Sequence, residues 1–360
     1  MQSDLYFRLE KARRQTSVVA VNEDALKEAG GKNDGFLCFG VKDTDRFPVD
    51  VFRRLREDGD FLWLTVDRMA DRGRSIDTGL VNPLTYRPMT GSTSGGAINV
   101  LLGIDDFALG TDGGGSVLAP ALACQLPSCM LSGLGVFVEG DVAASRDGLA
   151  RKAGVGVIGK TLDVVEKAVT AIVGGELPPQ KLCPRVAIPR KGDLRMPGGE
   201  DMAEKLDSFV RDLKDAFCFE PVDMRGAEDR KKGIDVCRKC FESSFDLILT
   251  YEGPIDVLGY GETIPAMFDG IGPELAKRGG KYLLRSASPC GATALTVPSS
   301  ELASGFVVLA PAGMDAAASA FMMAELLTRL IRLPDAFVYC FLRSERSHRG
   351  FQAPERQNAP

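Results

Sequence analysis

Short apolar runs of strand length alternate along this chain with stretches whose apolar residues recur at helical spacing. The strand-like runs are SVVAV (17–21), FLCFGV (36–41), FLWLTV (61–66), FALGT (107–111), RVAIP (185–189), FDLILT (245–250), ALTVP (294–298), FVVLAP (306–311) and AFVYCFL (336–342). Between them VDVFRRLRE, AINVLLG, TLDVVEKAVTAIV, MAEKLDSFVRDLKDAF and MDAAASAFMMAELLTRL carry the i, i+3, i+4 pattern of helices packed on one face. Alternation of this kind predicts an α/β fold, with a central mixed, largely parallel sheet covered by helices on both faces. There are no internal repeats and no clean linker, so residues 1–342 read as one domain. The polar stretch 343–360 reads as a flexible tail, and PRKGDLRMPGGED (189–201) as the least ordered internal piece.

Composition narrows the functional classes. The 360 residues are 44% hydrophobic and 26% charged, with a net charge of −5. A slightly acidic chain with no basic stripe argues against nucleic acid or an anionic membrane surface as a partner. No apolar run approaches the length of a membrane span and no secretory leader is visible, which makes the cytoplasm, or an organelle matrix, the expected location. Nine cysteines, an odd and scattered set, do not resemble a disulfide framework, and most are expected to be reduced and buried. One C-x-x-C occurs, Cys237 to Cys240; without a second pair it predicts an ordinary helical position.

Catalytic chemistry is bounded by elimination. The one histidine, His348, falls in the polar tail, so a Ser-His-Asp or Cys-His arrangement would have to recruit the least anchored part of the chain. A multi-histidine metal site is impossible, and no carboxylate cluster has a familiar ligand spacing; neither metal nor cofactor is expected. Serine can still be activated by lysine if burial keeps that lysine neutral. Attention therefore falls on GTDGGGSV (110–117), where three glycines precede Ser116 at a strand-to-helix junction. A phosphate loop would need a lysine after the glycines, and a dinucleotide turn fits the spacing only loosely. A second cluster of small and hydroxyl residues, TGSTSGGAINVLLG (90–103), lies just upstream.

Together these segments resemble the amidase signature family, serine hydrolases with a Ser, cis-Ser, Lys triad. The family pattern runs Gly-Gly-Ser-Ser-Gly-Gly, a helix, then Gly-Thr-Asp-x-Gly-Gly-Ser-Ile-Arg-x-Pro-Ala-x-x-Cys-Gly. This chain has GSTSGG, a predicted helix, and GTDGGGSVLAPALAC. VVAVNEDALKEA followed by GFLCFGVKD is similar to the family's entry helix and lysine-bearing strand. NPLTYRPMTGSTSGG and VGVIGKTLDVVEKAVTAIVGG resemble the segments on either side of the signature. The likeness continues through FDLILT, GATALTVP and the helix beginning at Met314, and thins between residues 190 and 240.

The resemblance implies Ser116 as nucleophile and Lys42 as ultimate base. Its register puts the bridging cis-serine on Thr93, flanked by Ser92 and Ser94. The amides of Gly113, Gly114, Gly115 and Ser116 would form the oxyanion hole, and Cys124 would be a packing residue. Three features depart from the family: threonine at 93, a separation of only 51 positions from Lys42 to Thr93, and Leu118 in place of an arginine. The implied activity is hydrolysis of a small amide through an acyl-enzyme, with a shortened, trimmed pocket. Two other roles fit the same residues: the amide-hydrolysing subunit of an amidotransferase, and an inactive family member serving as scaffold. A homodimer or a larger protein assembly is compatible with each.

Overall fold

The computed structural model describes residues 2–140, 143–144, 150–179 and 181–342. His348 and the segment 343–360 lie outside the described residues. In chain order the strands are β1 (Val18–Val21), β2 (Leu37–Lys42), β3 (Phe61–Asp67), β4 (Ile76–Val81), β5 (Pro88–Thr90), β6 (Phe107–Asp112), β7 (Ser128–Leu131), β8 (Ala143–Ala144), β9 (Ala150–Arg151), β10 (Gly154–Gly159), β11 (Arg185–Pro189), β12 (Cys218–Val222), β13 (Leu247–Glu252), β14 (Thr293–Pro298) and β15 (Gly305–Ala310).

Eleven of these strands form one mixed sheet, in the order β1-β3-β2-β6-β10-β7-β14-β15-β13-β11-β12. Parallel pairing occupies two flanks, β3-β2-β6 and β13-β11-β12. The centre, from β6 through β10, β7, β14 and β15 to β13, is antiparallel throughout. Parallel order is thus less extensive than the strand and helix alternation predicts. Its cause is local: β14 and β15 are joined by a short connection, and β10 inserts antiparallel between β6 and β7.

Period-2 alternation sends side chains of one strand into different cores. On β6, Phe107 and Leu109 join a large cluster with Val165, Val169 and Phe321, whereas Ala108 joins Ile98, Val100 and Leu101 on the opposite face. Helices Leu162–Val173 and Met314–Leu330 therefore cover one face near the centre, and helix Ser94–Leu101 covers the other. Helix Leu162–Val173 is bounded as its sequence suggests. The Thr161 hydroxyl accepts from Val164 N at its start, and Gly174 ends it in the left-handed conformation. Asp201 caps Met202–Leu213 in the same way, accepting from Ala203 N and Glu204 N.

One expectation is corrected. AFVYCFL (336–342) is helical, not a strand: Asp335–Phe337 is an α-helical turn followed by a π-helical turn, Val338–Leu342, and Phe337 packs against the core beside Ile158. Its apolar run carries the packing of one buried helical face, which periodicity over seven residues does not separate from a strand. Most cysteines are free thiols, as expected, while Cys183 and Cys218 are joined, with Cα atoms 5.7 Å apart. The registry of β11 beside β12, with Arg185 opposite Cys218, brings the two together across 35 residues. Cys38, Cys124, Cys129, Cys237 and Cys240 are free and buried, the last two on helix Arg230–Glu242. Among the described residues no helix is long and apolar enough to cross a membrane, and no three His, Cys, Asp or Glu side chains are placed to hold a metal.

Candidate active site

Lys42 ends β2 inside the sheet, 3% exposed. Its Nζ donates to Ser92 Oγ at 2.7 Å, to Thr111 Oγ1 at 2.9 Å and to the Thr111 carbonyl at 3.1 Å. Burial pushes the ammonium down to about 7, against a smaller opposing pull from the Asp112 carboxylate. Lysine at this depth, among hydroxyls and without a direct ion pair, is neutral at mildly alkaline pH.

The three consecutive hydroxyl residues after Gly91 point to three different places. Ser92 meets Lys42. Ser94, in the first turn of helix Ser94–Leu101, donates to Asp77 Oδ2 at 2.7 Å. Thr93 sits at the N-cap of that helix, but its Oγ1 is buried with no hydrogen-bond partner. Its side chain lies against Gly110, where a Cβ would run into both Thr93 and Val117. The sequence register therefore differs from the contact: the hydroxyl touching Lys42 belongs to Ser92, one residue before the expected Thr93. Backbone geometry causes the difference. Thr93 N donates to the Ser116 carbonyl at 3.1 Å, which turns the Thr93 side chain toward β6 and leaves Ser92 facing the end of β2. Among the described residues the cis peptide is Gly253-Pro254, and the bonds around Ser92 and Thr93 are trans.

Asp112 organises the Gly-rich turn. Buried at the end of β6, it accepts from Gly114 N at 2.5 Å and Gly115 N at 2.6 Å through Oδ1, and from Val117 N at 2.7 Å through Oδ2. Three amides around one carboxylate fold the turn, and Gly115 adopts φ +96°, a conformation that favours glycine. Leu284 packs so close to Gly115 that a Cβ there would also clash. Of the four amides expected to line an oxyanion hole, those of Gly114 and Gly115 are thus occupied by Asp112. Gly113 N and Ser116 N donate to nothing among the described residues. Ser116 is half-buried and its hydroxyl makes no hydrogen bond among the described residues.

The turn is braced from distant parts of the chain. Ser288 Oγ donates to the Asp112 carbonyl at 2.8 Å, and Arg230 Nη2 to the Gly113 carbonyl at 2.8 Å. The sequence selects neither Ser92, Arg230 nor Ser288 as a site residue. Ser92 had a visible signal, its place in GSTSGG; the other two had none, since each is brought in over more than 100 residues. Cys124 is fully buried, as expected of a packing residue.

No family model matches the sequence, and no curated protein matches it. Solved structures match over nearly the whole chain. One is a crystal structure of an amidase, at 18% identity and a TM-score of 0.65, covering 92% of this chain and 95% of that one. The native peptide amidase from Stenotrophomonas maltophilia matches at 15% identity and 0.62, covering 92% and 94%. A 6-aminohexanoate cyclic dimer hydrolase complexed with substrate matches at 12% and 0.63, covering 94% and 96%. At such identities the likeness is one of fold, and it agrees in kind with the resemblance carried by GTDGGGS and GSTSGG: this chain has the fold of the amidases and amide hydrolases among these structures.

Proposed function

We propose that this protein hydrolyses an amide through an acyl-enzyme on Ser116, with Lys42 as base and Ser92 as the hydroxyl between them. The observation that carries the proposal is Lys42 itself: a buried lysine held down to about 7, 2.7 Å from a serine hydroxyl in the loop next to the Gly-rich turn. Neutral Lys42 accepts the Ser92 proton as Ser92 Oγ accepts that of Ser116. The Ser116 oxygen then bonds to the amide carbon, and the carbonyl pair becomes an oxyanion received by the amides of Gly113 and Ser116. Collapse breaks the C–N bond, and the proton returns through Ser92 to the departing amine. Water attacks the ester by the same relay and releases the acid.

Thr93, the family-register choice for the relay, is the competing residue. Its partnerless hydroxyl is buried beside Gly110 instead of facing Lys42. A scaffold without activity is favoured by one feature, the occupation of Gly114 and Gly115 amides by Asp112, which leaves a two-amide hole. Labelling with a fluorophosphonate probe and mapping the adduct separates the readings. Reaction at Ser116 that is lost in Ser116→Ala supports the hydrolase; a folded protein with no reactive serine supports the scaffold.

A further inference from the structure

Beside the Gly-rich turn lies a cavity of about 550 Å³ whose walls include Gly114, Ser75, Arg230, Arg285 and Glu262. Both walls connect to the candidate site. Gly114 is two residues from Ser116, and the Ser75 carbonyl accepts from Gly91 N at 2.7 Å, directly before Ser92. The Arg230 guanidinium lies over Gly114, close enough that a Cβ there would collide with it. Arg285 packs its stem on Gly115 and donates one Nη2 bond to the Glu228 carbonyl, while its buried Nε has no partner.

No carboxylate among the described residues forms an ion pair with Arg285. The nearest buried acid, Glu252, is engaged elsewhere: it accepts from Tyr282 N at 2.7 Å, Leu284 N at 3.0 Å and Thr250 Oγ1 at 3.0 Å, and so fixes the turn that presents Arg285. Glu262 already bonds Ser75, Thr263 and Arg74. A desolvated guanidinium with unused donors is costly unless an anion completes it. Planar, forked donors match a carboxylate with two parallel hydrogen bonds.

We propose that this cavity receives a carboxylate carried by the substrate, so that the amide cleaved at Ser116 belongs to a molecule with a second, free acid group, such as a half-amide of a short dicarboxylic acid. The assignment of that molecule as substrate rests on the hydrolase reading above; the anion-binding cavity stands on Arg285.

The test uses succinate as probe, neutral succinamide as its control, and two readouts: thermal stabilisation of the protein and protection of Ser116 from the fluorophosphonate. Succinate, but not succinamide, is expected to stabilise the wild type and slow labelling. Arg285→Gln is expected to weaken succinate binding about tenfold or more, the loss of one charge-assisted pair. Arg285→Lys, which keeps the charge and the stem, should recover part of it, and ligand-free melting of both variants checks that they fold. Should Arg285→Gln fail to fold, Arg285→Lys, which cannot make the forked pair, is still expected to bind succinate more weakly than the wild type. If Ser116 labels but succinate gives no more protection than succinamide, the carboxylate proposal falls while the hydrolase reading survives. Binding of succinate lost in Arg285→Gln, with Ser116 inert, keeps the anion cavity and removes the hydrolase.

Discussion

Two buried polar clusters lie on neighbouring strands of the sheet, and they differ in what they face. Lys42, Ser92 and Thr111 lie at the ends of β2 and β6 beside the half-exposed Ser116. Thr65, Asp67, Asn99 and Asp105 lie deeper, between β3 and helix Ser94–Leu101, each fully enclosed. Desolvation moves both sets toward neutrality. Lys42 is pushed down to about 7, Asp67 up to about 6, and Asp105 well above the usual carboxylate range, raised further by Asp67. Thr65 Oγ1 lies 2.7 Å from Asp67 Oδ1 and 2.8 Å from Asp105 Oδ2 and has one proton to give. The arrangement closes if Asp105 is protonated and donates to Thr65, which donates to Asp67, with Asn99 Nδ2 donating to the same Asp67 oxygen at 2.6 Å. The comparison teaches that a shifted ionisation marks burial first. Chemistry needs, in addition, a shifted group within reach of a nucleophile, and the proposed relay through Ser92 to Ser116 would give the lysine cluster one.

The largest effect that could break this contrast is at Lys42. Lys42→Ala is expected to slow fluorophosphonate acylation of Ser116 about 10²- to 10⁴-fold while the protein still melts cooperatively, and Lys42→Arg to do nearly as much, because arginine keeps its proton. In the wild type, acylation should climb with pH through about 7 as Lys42 loses its proton. Stability has the matching sign. The folded-state value lies below an ordinary lysine's 10.5, so the unfolded chain binds more protons between the two. The penalty for burying Lys42 is complete below about 7 and relieved as the pH rises toward 10.5, and Lys42→Met should therefore raise the melting temperature more in acid than in alkali. Equal gains at both ends would mean that Lys42 does not titrate in the fold.

Next in size is the choice of relay. Ser92→Ala is expected to cost about 10²-fold in acylation, whereas Thr93→Val, which removes a hydroxyl that has no partner, should stay close to wild type. The reverse ranking would return the relay to Thr93 and require the loop to rearrange during acylation.

Smaller effects sharpen the deeper cluster. Asp105→Asn keeps a donor toward Thr65 and should change stability by less than about 1 kcal/mol, whereas Asp67→Ala strands the Thr65 and Asn99 donors and should cost about 1–3 kcal/mol for each, read by denaturant unfolding. Neither should touch acylation beyond its effect on folding. Asp67 has its own pH signature. Its folded value is raised from 3.8 to about 6, so its contribution to stability is complete below about 4 and lost as the pH rises through 6. Gly115→Ala should lower the melting temperature by an amount corresponding to about 1–3 kcal/mol, since φ +96° and Leu284 both oppose a side chain there.

The sequence by itself determined the element types wherever apolar spacing ran long enough. The helices at 49–57, 162–173, 202–213 and 314–330, and eight of the strands, follow from it. It also determined the chemistry to look for, because removing histidine and metal leaves serine with lysine, and GTDGGGS with GSTSGG supplies the turn and the hydroxyls. It under-read β7, β10 and β12: SCML is short, GVGVIG is half glycine, and CFEPV has no fully buried residue, so none carries a clear period. Tertiary structure alone decided which hydroxyl meets Lys42, since Ser92, Thr93 and Ser94 are equivalent as letters and differ only in where the Thr93 to Ser116 backbone bond turns them. Tertiary structure also decided which amides remain open, because Asp112 could fold over the glycines only once β6 had fixed it. Arg285, Arg230 and Ser288 reach the turn from more than 100 residues away. Spacing along a chain encodes local periodicity; contacts across a sheet depend on strand order, and strand order is set by the packing of the whole core.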